Sequence, residues 1–304
     1  MSKNTQTVRL DQLLTGAQLP ALPQSAIRLL ELSRDPDNGP AEFAVPIESD
    51  PGLASQVLRF VNSSYFGFSR EISSVKLAIS LVGIRTVKNF SLWSAVFSLV
   101  PNPRCGQFDL KALWKDSLRR GLLARTLGSR LRLDASEDLF SAALLQDMAV
   151  PLLAKELPNE YREMFESRDH GRRRLSDLEM ERFGWNHADA AAHMARVWNL
   201  PESFVDLIRG HVHTSQWLES GNQHRDRLAI SLTALLPADT DGNWHDREAF
   251  LQTYQALVQG QGTELAEVFA QVDSEFAEFA PIMKISGHGM SLCDSLAQPT
   301  ACGP

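Results

Sequence analysis

The chain has 304 residues, of which 43% are hydrophobic and 22% are charged, and its formal net charge is -7 at pH 7. A chain of this length and composition can bury a substantial core in one large or two modest domains. The net negative charge excludes a general attraction to nucleic acid backbones, although it leaves room for a local basic patch.

The first residues are polar, and no apolar run approaches the roughly 20 residues that a bilayer crossing requires. The three cysteines, Cys105, Cys293 and Cys302, are odd in number and far apart. This argues against a disulfide framework or a zinc cluster and fits a reducing compartment. We therefore expect a cytoplasmic protein without a membrane segment.

Helical periodicity dominates the first hundred residues. The spacing of apolar residues predicts a helix over 23–32 and a second helix that follows Asp50, an N-cap, and Pro51, a first helical residue. A third helix starts at Ser73 or Ser74 and ends at Gly83. The next helix, over 87–100, is apolar on so much of its circumference that we expect it to be buried.

The remaining two thirds of the chain continue the same pattern. Residues 168–174 are expected to form an exposed, basic loop. Strict alternation of apolar and polar residues is almost absent, so we predict an all-α fold. Further helices are predicted at about 110–131, 137–155, 176–183, 187–198, 201–211, 225–236, 247–258 and 264–279.

Several sequence blocks stand out between about residues 17 and 215. The N-terminal blocks are Leu19–Pro23, Asp50–Leu53, Leu58–Gly67, Ile72–Ile79 and Leu81–Asn89. The C-terminal blocks are His187–Ala192, Arg196–Pro201 and Ile208–His211. In their order and spacing, these blocks together resemble the signatures of HDOD domains, a family related to the HD phosphohydrolases.

The resemblance implies a multi-helix bundle in two packed lobes, one over about 17–105 and an HD-like lobe over about 106–215. Residues 1–16 would precede the domain as an extension, and helices in 216–285 would pack on the HD-like lobe. Residues 286–304 carry Gly, Ser and Pro with little pattern, so we expect a disordered tail there.

The block that would carry HD catalysis is degenerate. HD hydrolases hold one or two metal ions with histidines and aspartates, which activate a water against a phosphate. Gln146 stands where the histidine before Asp147 is expected, and a glutamine carbonyl is a poor ligand for a transition metal. Asp116 stands where the first metal histidine often lies, and Val150 replaces the lysine of the cyclic-diguanylate-cleaving branch. The resemblance therefore implies no catalytic residues.

The remaining histidines leave a polar or metal cluster open. The spacings His187 to His193 and His211 to His213 place neither pair on one helical face. His187 and His211 can still converge with Asp147 in three dimensions, because related proteins assemble their site in this way. A vestigial cluster is therefore a candidate, and we expect no metal or other cofactor. Its candidate residues are Asp116, Gln146, Asp147, His187 and His211.

The segment after the second predicted helix is a candidate interaction surface. Tyr65, Phe66 and Phe68 surround Gly67 and offer apolar area to anchor a partner. Asn62 stands where the helix ends, and asparagine commonly closes helices. The alternative is structural: a helix cap followed by aromatic core residues.

The resemblance implies a non-enzymatic bacterial signal-transduction protein that acts as a protein-interaction or ligand-sensing module. Its expected partners are signalling proteins such as cyclic-dinucleotide enzymes or response regulators, and neither nucleic acid nor a membrane. One alternative is a metal-dependent phosphohydrolase with a degenerate site. Another treats residues 75–100 as a helix-turn-helix DNA reader, but its second helix carries Trp93 and Phe97 and few base-reading residues.

Overall fold

The computed structural model describes residues 9–17, 19–133, 136–241, 243–259, 261–285 and 290–298. These ranges fold into helices and contain no strand, which confirms the predicted all-α class. None of the helices in them combines the length and apolarity that a membrane crossing requires.

The N-terminal helices pack around the rings of Phe60 and Phe90, which stack with their centroids 4.2 Å apart. The second helix of the suggested DNA reader lies in this core, since Trp93 is 3% exposed. The helices are α1 (Leu10–Gly16), α2 (Gln24–Leu32), α3 (Pro40–Glu48), α4 (Pro51–Val61), α5 (Val75–Val82) and α6 (Ile84–Leu99).

The second part of the chain is built around its longest helix, α7 (Leu110–Arg130), which packs against several of the helices that follow. A short 3₁₀ turn lies at Gly221–His224. The other helices are α8 (Ser136–Leu145), α9 (Val150–Glu156), α10 (Pro158–Ser167), α11 (Leu175–Phe183), α12 (His187–Val197), α13 (Glu202–Gly210), α14 (Thr214–Glu219), α15 (Arg225–Thr233), α16 (Arg247–Val258), α17 (Leu265–Ile282) and α18 (Leu292–Ala297).

Local signals place several helix ends where the sequence predicts them. The Asp50 carboxylate accepts a hydrogen bond from the Leu53 amide at the start of α4, and the Ser74 hydroxyl accepts one from Leu77 at the start of α5. Gly83 separates α5 from α6 with a φ of 92°, a conformation that favours glycine because it has no Cβ.

The single helix predicted over 137–155 is wrong, because α8 ends at Leu145 and α9 starts at Val150. Residues 146–149 form a turn instead. Pro151 explains the break, since its ring would clash with the carbonyl four residues earlier in a continuous helix. The helices α1, α3, α10, α14 and α18 were not predicted. The interruption after α8 places Gln146 and Asp147 in a turn.

The predicted tail is wrong for residues 290–298, where α18 docks on the body of the protein. Leu292 is fully buried, and the Asp273 carboxylate accepts hydrogen bonds from Ser291 Oγ and from the Leu292 and Cys293 amides. At the other end, the Arg247 guanidinium donates to the carbonyls of Leu296 and Gln298, as a cation near a helix C-terminus should. The rest of the predicted tail lies outside the described residues.

The N-terminal extension is partly described. Residues 1–8 lie outside the described ranges, but α1 packs on the core with Leu14 only 2% exposed.

Candidate functional site

Three elements bring Asp147, His187 and His211 together in the interior. Asp147 lies in the turn between α8 and α9, His187 begins α12, and His211 follows α13. Asp147 Oδ1 lies 3.2 Å from His187 Nε2 and 3.5 Å from His211 Nε2, and the two Nε2 atoms are 3.2 Å apart. All three side chains are buried. The sequence left open whether these three residues converge, and the structure shows that they do.

The other ring nitrogens define how both imidazoles are held. His211 Nδ1 lies 2.6 Å from the Ile208 carbonyl, which can only accept, so Nδ1 carries a proton. His187 Nδ1 lies 2.6 Å from Glu179 Oε2, which also accepts a hydrogen bond from the His187 amide. These contacts orient both rings with Nε2 toward Asp147, as outer partners do for metal-binding histidines.

The inward-facing atoms require a proton or a cation between them, because two imidazole lone pairs and a carboxylate oxygen would otherwise face each other. Burial lowers the pKa of His211 below its ordinary value, so this ring is neutral. Burial also opposes charge on His187, but Glu179 and Asp147 outweigh it and raise the pKa of His187 to about 10. In the protein alone, His187 supplies the proton that holds the cluster together.

Asp147 has a second cationic partner in Arg120, on the facing side of α7. The guanidinium donates to Asp147 Oδ2, and both side chains are nearly buried. Burial raises the pKa of Asp147, but Arg120 and the two histidines outweigh it and hold the pKa well below its usual range. One carboxylate oxygen therefore faces the histidines while the other is neutralised by an arginine.

The three inward atoms fit one metal ion. Ligand atoms at about 2.0–2.1 Å from a tetrahedral ion are about 3.3 Å apart, close to the separations above. Two imidazoles and one carboxylate form a ligand set that suits divalent transition metals. A second ion lacks ligands among these residues, because Gln146 replaces an imidazole and Arg120 occupies the other Asp147 oxygen.

The remaining two candidates of the vestigial cluster lie beside the triad and outside it. Gln146 is fully buried, and its Oε1 accepts a hydrogen bond from Thr233 at 3.1 Å. Asp116 accepts from the Asp239 amide at 2.9 Å and lies 3.4 Å from Arg119. Burial, against the effect of nearby arginines, raises the pKa of Asp116 to about 7.

A cavity of about 180 Å³ leads to the triad and is lined by Asp116, Arg120 and loop residues that include Arg168 and Arg174. The predicted exposed, basic loop thus faces this cavity in part. Arg168 pairs with Asp241 at 2.9 Å and is 24% exposed, whereas Arg172 and Arg173 are more exposed. The cavity therefore carries arginines that are already paired with carboxylates.

The candidate interaction residues lie in the segment between α4 and α5. Asn62 bridges the segment that it closes, because its amide donates to the carbonyls of Leu58 and Ile72 and its Oδ1 accepts from the Ile72 amide.

The three aromatic candidates are only partly exposed. Tyr65 is 38% and Phe68 36% exposed, and Phe66 packs between their rings. The Arg125 guanidinium lies 4.2 Å from the centre of the Tyr65 ring. Partner binding by this segment stays a prediction, alongside these structural contacts.

Sequence reasoning missed Arg120, Glu179 and Tyr161. The Tyr161 hydroxyl donates to Glu179 Oε1 at 2.6 Å and so completes the partners of the carboxylate that holds His187. One signal was available, since charged residues interrupt otherwise apolar faces of α7 and α11. A buried charge needs a partner, and its position therefore points to a polar site.

Two sequence comparisons relate this chain to known proteins. Residues 19–214 match the family model of the HDOD domain. A protein of Treponema pallidum (strain Nichols), named only as uncharacterized, is 26% identical over 214 residues, which are 68% of this chain and 40% of that protein. This chain thus spans well under two thirds of the length of that relative.

Solved structures share the fold. An HDOD domain protein of unknown function from Geobacter sulfurreducens superposes with a TM-score of 0.69 at 19% identity, covering 91% of this chain and 97% of that chain. A Shewanella amazonensis protein named as a phosphohydrolase has a TM-score of 0.68 at 20% identity, with 90% and 97% covered. A Marinobacter aquaeolei protein named as a signal transduction protein has a TM-score of 0.59 at 19% identity, with 97% and 68% covered.

Proposed function

Because this chain belongs to the HDOD domain family, we propose that it is a non-enzymatic signal-transduction protein, a helical module that regulates by binding. The ion pair between Arg120 and Asp147 carries this proposal. It places a fixed cation on the carboxylate that a hydrolytic centre would use for metal.

The rest of the cluster supports the same conclusion, since its charges are balanced within the protein. Asp147 is neutralised by Arg120 and by protonated His187, while Glu179 accepts from Tyr161 and from His187. Gln146 removes an imidazole next to Asp147. A buried network whose members are paired in this way stabilises one conformation rather than poising a nucleophile. Partners in cytoplasmic signalling, such as cyclic-dinucleotide enzymes or response regulators, are part of the proposal and rest on the family resemblance.

The second candidate function is a mononuclear metal-dependent phosphohydrolase. The favouring observation is the triangle of Asp147 Oδ1, His187 Nε2 and His211 Nε2, whose edges of 3.2 to 3.5 Å fit one ion. A metal held by these atoms would polarise a phosphoryl oxygen and lower the pKa of a bound water. In that case the Arg120 guanidinium would face the substrate cavity as well as Asp147.

Metal content and turnover separate the two candidates. Purified protein is incubated with Mn²⁺, Fe²⁺ or Zn²⁺, desalted and measured for bound metal, and then assayed with cyclic diguanylate and bis(p-nitrophenyl) phosphate. We expect substoichiometric metal and no turnover above that of Asp147→Ala. Arg120→Met should bind more metal than the parent, because the competing cation is gone, yet remain without turnover.

Asp206→Ala is the matched control, because Asp206 is a half-exposed carboxylate paired with Arg227 outside the cluster. Metal-dependent turnover in the parent and in Asp206→Ala, lost in a folded Asp147→Ala protein, would establish the phosphohydrolase and reject the proposal.

A further inference from the structure

A groove that shares no lining residue with the triad cavity runs between the N-terminal helices and the junction of α12 with α13. Its first part has a volume of about 360 Å³ and is walled by Leu19–Leu22 and α2 on one side and by Val197–Asn199 on the other. Its second part, of about 490 Å³, shares Leu30, Arg34 and Asn199 with the first. The two cavities are therefore adjacent, and together we call them the interlobe groove.

The first part of the interlobe groove is mostly apolar, and its charged lining residues are Arg34 and Glu31, which is paired with Arg28. Its walls include Leu19, Ile27, Leu30 and Trp198. Trp198 is 7% exposed, and its indole Nε1 donates to the Pro20 carbonyl at 3.1 Å, which ties the two walls together at the floor. Val197, which also lines this part, is 52% exposed.

The second part is cationic, since its lining includes Arg34, Lys88 and Arg196. Arg196 is bound to Glu202 at 2.6 Å. Arg34 and Lys88, in contrast, form no ion pair with any residue whose side chain the structure describes. Besides Arg196, which is paired with Glu202, the groove thus presents two basic side chains without an ion pair to any described side chain. The chain as a whole has a net charge of -7.

The position of Lys88 strengthens this point. Burial lowers the pKa of Lys88, and Asp138 only partly offsets that effect. Burial disfavours the charged form of an amine, and an incoming carboxylate would favour it again. An anionic group in the second part of the groove would therefore favour the charged form of Lys88, which Asp138 supports only in part.

We infer that the interlobe groove binds a segment of a partner protein in which apolar side chains are followed by acidic ones. The apolar side chains would fill the space beside Trp198, and the carboxylates would meet Arg34 and Lys88. This inference rests on the proposed binding function and names the chemistry of its partner. Because the walls come from both halves of the fold, the bound segment would also link their positions.

The test uses three fluorescent peptides that share the same leucine and tryptophan anchors and carry glutamate, glutamine or lysine after them. Binding to the full chain is measured by fluorescence anisotropy at low and high salt. We expect the glutamate peptide to bind about tenfold more tightly than the lysine peptide at low salt, with a smaller difference at high salt.

Variants locate the binding. Arg34→Glu, at an exposed position, should lower the affinity for the glutamate peptide about tenfold and leave the affinity for the glutamine peptide nearly unchanged. Lys88→Gln should act in the same direction without placing a new charge beside Asp138. Ala21→Trp should fill the apolar part and weaken both peptides. Arg59→Glu is the matched control, an exposed arginine on α4 that does not line the groove and should bind like the parent.

Several results would overturn the inference. One is equal affinity for the glutamate and lysine peptides, and another is an equal loss of peptide affinity in Arg59→Glu and Arg34→Glu. A third is the absence of any peptide preference together with dimerisation, or binding to anionic vesicles, that Arg34→Glu abolishes. Such a failure leaves the turnover assay unaffected. The non-enzymatic proposal falls only if metal-dependent turnover is found, so the two outcomes are distinguishable.

Discussion

Asp116 is a carboxyl group whose burial and whose hydrogen-bonding and cationic partners favour opposite protonation states. It accepts from the Asp239 amide and lies beside Arg119, yet burial raises its pKa to about 7. An aspartate in an unfolded chain has a pKa of about 3.9, so the folded state binds this proton more tightly. The stability that Asp116 contributes through its proton is therefore complete below about pH 3.9 and lost as the pH rises through about 7.

Asp116→Asn keeps an acceptor for the Asp239 amide but cannot ionise. We expect its free energy of unfolding to improve relative to the parent as the pH rises from 5 to 8, by up to about 1.4 kcal/mol per pH unit. Urea denaturation of both proteins across this range measures the difference. Parallel stability profiles would show that Asp116 is ionised throughout and that the arginines outweigh burial.

Asn62 illustrates how one residue combines a capping and a bridging role. The sequence indicates only that a helix ends there, whereas the structure shows its amide bound to both backbone groups of Ile72, ten residues later. The loop that carries Tyr65 is thereby held closed. A partner that used this loop would meet a preformed surface.

At the level of elements, the close approach of α7 and α8 determines where the site residues lie. A Cβ at Gly121 would be 2.8 Å from Leu144 Cγ and 3.2 Å from Phe140 Cδ2. Glycine at this point lets α8 pack tightly on α7, so that Asp147, just after α8, meets Arg120.

Gly121→Ala should therefore destabilise the protein by about 1–3 kcal/mol, even though alanine favours a helix more than glycine does. Chemical denaturation measures the loss. Gly16→Ala is the control, because no atom beyond the neighbouring backbone of its own helix lies within 4 Å of a Cβ there, and no loss is expected. If Gly121→Ala were as stable as Gly16→Ala, α8 would be free to shift and the contact would not position the site.

For the whole molecule, the docking of α18 joins the C-terminal end of the described chain to its centre. The Met290 amide donates to Asp239, the residue whose own amide binds Asp116. Asp273 and Arg247 bind the two ends of α18. The segment thus belongs to the folded body and contacts the network at the wall of the triad cavity.

Leu292→Ala should lower the free energy of unfolding by about 3 kcal/mol, the cost of emptying a fully buried leucine site. Leu296→Ala, at a half-buried position of the same short helix, should cost less than half as much. Urea denaturation followed by tryptophan fluorescence checks both. Equal and small effects would show that α18 contributes little to the fold.

Helix ends and fold class were predictable because their causes are local. An N-cap such as Asp50, a break such as Gly83 and the 3.6-residue spacing of apolar side chains act within a few residues. Pro151 carried the same kind of information about the turn after α8, although the continuous apolar pattern obscured it.

The candidate site depended on tertiary structure. The missing imidazole at Gln146 is legible in the sequence, but the convergence of Asp147, His187 and His211 results from the packing of α8, α12 and α13. The same holds for Arg120, whose neighbours on α7 do not reveal which carboxylate it meets. Periodicity specifies which face of a helix is buried, whereas the residue across that face is chosen by how helices cross, which sequence spacing does not encode.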